Sequence, residues 1–273
     1  MKRIAIIISL FLFFCQAAVA QLQIQTHKEK IKDFPQKVTK VVLTGEEELD
    51  AAIRDAIKNY WTISAYELCS EEEFGSLKTN DNYYFLAVAD GGEGLRRWYL
   101  VKGGNASAKK LQDMLTVASV AICPAEGLSG REETLLPPIA CLLQNLISKA
   151  IGSAYGGSGL TISNPGKAVS KPLYLCQDEF SLRTSVPDQE LCQKKNIHLV
   201  SADQADQIIL NAEDAAVCFV VAPTLPAKGD VFYVYLVDAS TFEIYYFKKH
   251  KVSTKYGCGL MEEDLKAFLK GRK

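Results

Sequence analysis

The 273-residue chain is poor in histidine, with only His27, His198 and His250, and no two of these stand at the spacing that puts paired metal ligands on one helix face. Its cysteines never form a C-x-x-C pair, which removes zinc ribbons and thioredoxin-like redox motifs. GLSG at Gly127 and GGSG at Gly156 both stop short of the full G-x-S-x-G nucleophile elbow. Charge of one sign is missing too. The formal net charge is −1, so neither a nucleic acid nor an anionic membrane surface is implied as a partner.

The N-terminus is informative. Lys2 and Arg3, the apolar run from Ile4 to Phe14, and then Ala18, Val19 and Ala20 follow the order of a cleaved secretory signal. The run is too short to span a bilayer, which takes about 20 residues of helix. No second long apolar run is read after it. Residues 21–273 are therefore expected to be exported and soluble, in the periplasm or outside the cell, with no transmembrane segment once the signal is removed. Cys15 raises the alternative of a lipid-anchored protein, but bulky Phe14 stands where a lipidation signal wants a small residue.

Seven cysteines remain in the body: Cys69, Cys123, Cys141, Cys176, Cys192, Cys218 and Cys258. An odd number leaves at least one free thiol in any compartment. Cys123, Cys141 and Cys218 lie in apolar surroundings where cysteine packs as a small hydrophobe. Cys176 with Cys192 is the pairing favoured for a disulfide.

The body reads as an α/β protein, with α+β as the variant, built from two related β-α-β-α-β-β modules. Residues 21–39 form a polar lead-in, mobile or lying at an edge. Module one, 40–155, starts with the strand KVVL. Thr44 with Glu47, and Ser70 with Glu73, have the spacing of a capping box at a helix start. NYYFLAVAD and LRRWYLVKG, joined by Gly91, Gly92, Glu93 and Gly94, read as a hairpin. A helix opening at Pro137 and Pro138 carries one apolar stripe, Ile139, Leu142, Leu143, Leu146, Ile147 and Ala150. A Gly-Ser linker, 156–171, leads to module two, 172–273. There PLYLC is a strand, DEFSL through QELCQKK is mainly helical, NIHLV is a strand, and Ser201 with Gln204 repeats the capping spacing. AAVCFVVAP, VFYVYLVDAS and the strand after the turn follow. The tripeptide Tyr99-Leu100-Val101 recurs as Tyr235-Leu236-Val237. With four landmarks in the same order and at similar spacing, this suggests an internal duplication.

No reaction is favoured. The weak candidate for catalysis is Cys258, flanked by glycines, with His250 eight residues upstream, as the pair of a hydrolase. The acidic triplets at Glu46 and Glu71 sit at helix starts, where the dipole accounts for them, and no metal or cofactor is expected. NAS at Asn105 fits a glycosylation acceptor. The aromatic hairpins are more suggestive of binding. Runs such as Tyr83-Tyr84 and Tyr245-Tyr246 put aromatics on both faces of a strand. If one face is left uncovered, Trp98 with Arg96 and Arg97, and Tyr235 with Tyr246, form a binding surface of the usual aromatic and arginine composition.

Residues 197–270 carry Ala205-Asp206 with Ile208, the strand YVYLVD, the turn and strand STFEI, and a closing helix. In these features they resemble a periplasmic α/β module found at the N-terminus of the Tol-system propeller protein and in the curli-secretion lipoprotein family. Phe242 stands where that family has a turn glycine. The resemblance covers about a quarter of the chain and implies contact with other envelope proteins, with no catalytic residues carried over. The expectation is thus a noncatalytic binding or assembly role in the bacterial cell envelope. The alternatives are the Cys258 and His250 hydrolase and a small-molecule receptor with its ligand between the modules.

Overall fold

The computed structural model describes residues 23–24, 28–152 and 162–272; the expected signal segment 1–20 with Cys15, His27 and the glycine-rich stretch 153–161 lie outside them. The chain is α/β, with two mixed sheets of six strands each. The first half comprises β1 (Gln23–Ile24), α1 (Lys28–Ile31), β2 (Val38–Val42), α2 (Glu47–Tyr60), β3 (Tyr66–Cys69), α3 (Glu71–Leu77), β4 (Tyr83–Asp90), β5 (Leu95–Lys102) and β6 (Leu115–Pro124). Helix α4 (Glu132–Gly152) follows. The second half comprises β7 (Ile162–Ser163), β8 (Leu173–Cys176), α5 (Gln189–Lys195), β9 (Ile197–Val200), α6 (Ala202–Leu210), β10 (Ala216–Val221), β11 (Val231–Asp238), β12 (Ile244–Lys251) and α7 (Glu262–Leu269).

The sheets have the same strand order, β1-β6-β5-β4-β2-β3 and β7-β12-β11-β10-β8-β9. In each, the first long strand runs parallel to its two neighbours, β2 to β3 and β4, β8 to β9 and β10. The remaining pairings are antiparallel. The register matches as well. One row of partners crosses the first sheet as Ile24, Ala118, Leu100, Leu86, Val41 and Leu68. The corresponding row of the second is Ser163, Tyr246, Leu236, Cys218, Leu175 and Leu199. Leu100 and Leu236 are the central residues of the repeated Tyr-Leu-Val, so the tripeptide occupies one position in both sheets.

Local chemistry explains most element ends. Ser201 and Gln204 close a full capping box, each side chain taking the other's backbone amide. Ser70 does half of this: its hydroxyl accepts from the Glu73 amide, while the Glu73 carboxylate turns to Lys40. The box expected at Thr44 and Glu47 does not form. Asp50, one turn into α2, accepts from the Thr44 and Gly45 amides instead. Helix α4 begins five residues before Pro137, because the Glu132 carboxylate gathers the Ser129 and Gly130 amides and starts the helix there. Both prolines then fall inside the helix. The stretch 177–188 is largely irregular, and helix is confined to α5. The lead-in is edge-lying through β1, but it is anchored: Ile31 and Phe34 are fully buried, and the Tyr84 hydroxyl donates to Asp33. Residues 162–168, read as linker, supply the edge strand β7 and a 3-10 turn.

A single apolar core joins the halves. It takes α2, α4 and one face of the first sheet (Val41, Leu86, Leu100) together with α6 and one face of the second (Val217, Phe219, Tyr235). The outer face of the first sheet is closed by α3 and residues 108–114 around Phe85 and Val101. The outer face of the second is closed by α7 around Leu175, Leu236 and Phe268. Leu100 lies on the inner face of its sheet and its counterpart Leu236 on the outer face of the other, so the sheets stack head to tail. Helix α4 is long and apolar enough to cross a membrane, yet 61% of its most apolar window is buried in the protein. It is the core helix of the stack, each of its buried leucines and isoleucines contributing on the order of 1.5–3 kcal/mol.

Candidate functional site

Because both faces of both sheets are covered, the aromatic hairpins do not form the outward surface expected of them. Trp98 and Tyr235 are fully buried, and Tyr246 nearly so. Tyr235 stacks on Phe219, and the Tyr246 hydroxyl donates to Asp264 across 2.6 Å. Arg97 is buried between the sheets, donating to the Tyr233 hydroxyl of the other half at 2.7 Å and to Ser119. Arg96 pairs with Glu46 at the surface. These five side chains hold the architecture; they do not converge on a site.

The Cys258 and His250 pair is not assembled either. His250 is buried beside Phe232, and its Nε2 lies 2.9 Å from the Asp264 carboxylate. Asp264 in turn accepts the Met261 amide at the start of α7 and the Tyr246 hydroxyl. His250, Glu263 and Asp264 could be counted as metal ligands by proximity. The hydrogen bonds already on Asp264, and the Lys248 ammonium 2.8 Å from Glu263, make the group a helix cap with its ion pairs. Cys258 sits elsewhere, in a cavity wall, and burial pushes its thiol up to about 11, which leaves little thiolate at neutral pH. All seven cysteines of the body are free thiols, so Cys176 and Cys192 are not bonded.

The site the geometry does build lies between the halves. A cavity of about 250 Å³ opens where β6 ends, where β8 and β10 end, and just before α4 begins. The C-terminal ends of parallel strands are where open α/β sheets place their ligands. Apolar walls come from Ile122, Pro124, Leu135 and Val221, and polar groups from Ser129, Arg131, Asp178 and Glu179. Cys123 of the first half and Cys258 of the second are both lining residues.

Arg131 is the keystone. It comes from the first half, and its guanidinium reaches Asp206 of α6 at 2.6 Å through Nη2, with Nε at 2.9 Å, and Glu179 through Nη1. All three side chains are less than one-fifth exposed. Burial disfavours the charged guanidinium, but the hydrogen bonds and charges of Asp206 and Glu179 outweigh it and hold Arg131 firmly protonated. Glu179 follows the end of β8 directly, its carbonyl receiving the Leu260 amide. Its Oε1 accepts from Arg131, while Oε2 is closed to solvent with no partner in direct hydrogen-bonding geometry, the Val220 amide being a further dipole that acts on the carboxylate. Burial pushes Glu179 up to about 7, and the nearby Arg131 only partly offsets it. A buried carboxylate so placed carries a cost of lost hydration.

The sequence reading missed Arg131, Glu179 and Asp206. The signal was present in part: DEF directly after the strand PLYLC, and Arg131 ahead of a helix, both at positions where α/β sheets hold ligands. No protein-family model, curated protein or solved structure significantly matches this chain.

Proposed function

We propose that this is a noncatalytic, exported binding protein of the bacterial cell envelope that holds a small ligand between its two halves. The observation that carries this reading is the cavity at the strand ends, with the Arg131 and Glu179 ion pair in its lining. Its mixed apolar and polar lining and its position at the sheets' junction are usual attributes of a small-molecule site. Nothing in its wall is an activated nucleophile: the two lining thiols are both pushed up to about 11 by burial. Export rests on the N-terminal signal, and the envelope on the resemblance of residues 197–270 to periplasmic modules. We read the halves as copies of one unit, a view supported by the shared strand order and the shared register of Tyr-Leu-Val.

Native mass spectrometry of the full chain, expressed with its own signal and recovered after export, tests this. The expected result is a small-molecule adduct that is lost in Leu135→Trp, where the indole fills the cavity. If no adduct forms and no compound in a metabolite library raises the melting temperature, the ligand reading fails. A protein partner sought by crosslinking then becomes the better account.

A further inference from the structure

The cavity, taken as a ligand site as proposed above, also restricts what the ligand is. Its charges are unevenly divided. Arg131 is the single lining cation, and both arms of its guanidinium are already engaged by Asp206 and Glu179. Against it stand two lining carboxylates, Glu179 and Asp178, the last exposed at the wall, while Asp206 holds the guanidinium from outside the lining. With these groups ionised the site carries a net negative charge. A carboxylate or phosphate ligand would have to displace these carboxylates from Arg131 while lying beside them. A neutral apolar ligand would leave the negative charge of the lining unbalanced. An ammonium group supplies a donor and the opposite charge, and such charge-assisted bonds are roughly twice as strong as neutral ones. The remaining walls, Ile122, Pro124, Leu135 and Val221, suit a hydrocarbon body.

We infer that the cavity between the halves binds a small organic cation, an amine with an apolar body, whose ammonium pairs with the lining carboxylates Glu179 and Asp178. The apolar body packs on the β6 end and on Leu135 of α4, so ligand and Arg131 both tie the first half to the second. The groups acting on Glu179 are Arg131 from before α4, Asp206 from α6 and the Val220 amide of β10, with the thiols of Cys176 and Cys218 nearby. Arg131 stays protonated throughout, so the pH response of binding reports the carboxylate it faces. The Glu179 value of about 7 means that the ionised, cation-accepting form grows as pH rises.

The test is calorimetric titration of the full chain with three probes sharing one apolar body: benzylamine, benzyl alcohol and benzoate. The expected result is benzylamine binding at least tenfold more tightly than benzyl alcohol, with benzoate weakest. Affinity for benzylamine should rise about tenfold between pH 6 and pH 8, as a site needing an ionised group of pKa near 7 requires. Glu179→Gln should remove that rise and weaken benzylamine at least tenfold. Should that variant unfold, the pH series on the unaltered chain still decides. Equal binding of benzylamine and benzyl alcohol, or a preference for benzoate, overturns the cation assignment while leaving a ligand site in place. Failure of all three probes to bind at millimolar concentration overturns both.

Discussion

Each sheet has a crevice at the C-terminal ends of its parallel strands, and the two crevices differ in what closes them. In the first half the crevice is about 600 Å³, lined by the ends of β2 and β4, the start of α3 and residues 109–112. Thr44, Val88, Ala89 and Asp90 line it. Asp178, Val220, Val221 and Ala222, at the matching register positions of the second half, line the other. In the first crevice Arg96 pairs with a Glu46 side chain that is half exposed. The second is capped by β6 and by the segment before α4, contributed by the other half. One strand arrangement therefore gives a hydrated, ordinary ion pair in one place and a desolvated, incompletely satisfied carboxylate in the other. Head-to-tail stacking makes the difference, since it brings residues of both halves to one crevice and leaves its counterpart lined by the first half alone.

The comparison is sharpest at the two arginines. Arg131→Met strands Glu179 and Asp206 between the halves, and the expected loss is about 3–5 kcal/mol, as for breaking a buried ion pair. Arg96→Met should cost no more than about 1 kcal/mol, because Glu46 stays hydrated. Denaturant melts of the two variants measure both, and equal losses would erase the distinction between the crevices.

Next in size is a pH effect. Glu179 has a folded-state value of about 7, above the ordinary glutamate value of 4.5. Between these the native chain holds the extra proton, so stability is greatest below about 4.5 and falls as pH rises through 7, levelling off above it. The fall is of order 3 kcal/mol as an upper bound, and it should disappear in Glu179→Gln. Chemical denaturation at pH 5 and pH 8 measures it.

A smaller contrast lies at the far ends of the hairpins, where the halves use one device with reversed polarity. Lys102, ending β5, pairs with Asp33 ahead of β2; Asp238, ending β11, pairs with Lys171 ahead of β8. Burial alone would raise Asp238, but hydrogen bonds from Lys171, Tyr245 and Ser240 bring it down to about 2. Its contribution is complete above pH 3.8 and is lost as pH falls towards 2. Asp238→Asn should cost about 2 kcal/mol at neutral pH, in line with a depression of nearly two units in a buried group, and should remove that acid-limb loss from pH-dependent melts. The smallest contrast is between the helix caps. Ser201→Ala, which opens a full capping box, should cost about 1 kcal/mol, and Ser70→Ala somewhat less, because Glu73 is already committed to Lys40.

The order of elements was largely legible in the sequence, because capping serines, the glycine-rich hairpin and the periodicity of α4 are local signals. The repeated Tyr-Leu-Val was legible too, and the register shows that it falls at one position in both sheets. Strand β6 was missed. Its run LTVASVAICP is apolar on both faces and is separated from β5 by an irregular connection with no tight-turn signature. Phe242 adopts the left-handed conformation, φ 58°, that glycine usually fills. Its ring packs edge-on against Tyr60 of the other half, 5.1 Å between centroids, a reason for a bulky residue that only tertiary structure supplies. The same limit applied to the site. Whether Trp98 faces a partner or a core, and whether Glu179 meets water or Arg131, depends on what the other half covers, and no local pattern carries that information.

The carboxyl carbon of Glu179, followed by NMR through a pH titration of the full chain with and without benzylamine, tests the central claim most directly. A midpoint near 7 that moves downward when the amine is added is the predicted result. A midpoint at the ordinary glutamate value, unmoved by the amine, would contradict the account of a desolvated, cation-accepting carboxylate between the halves.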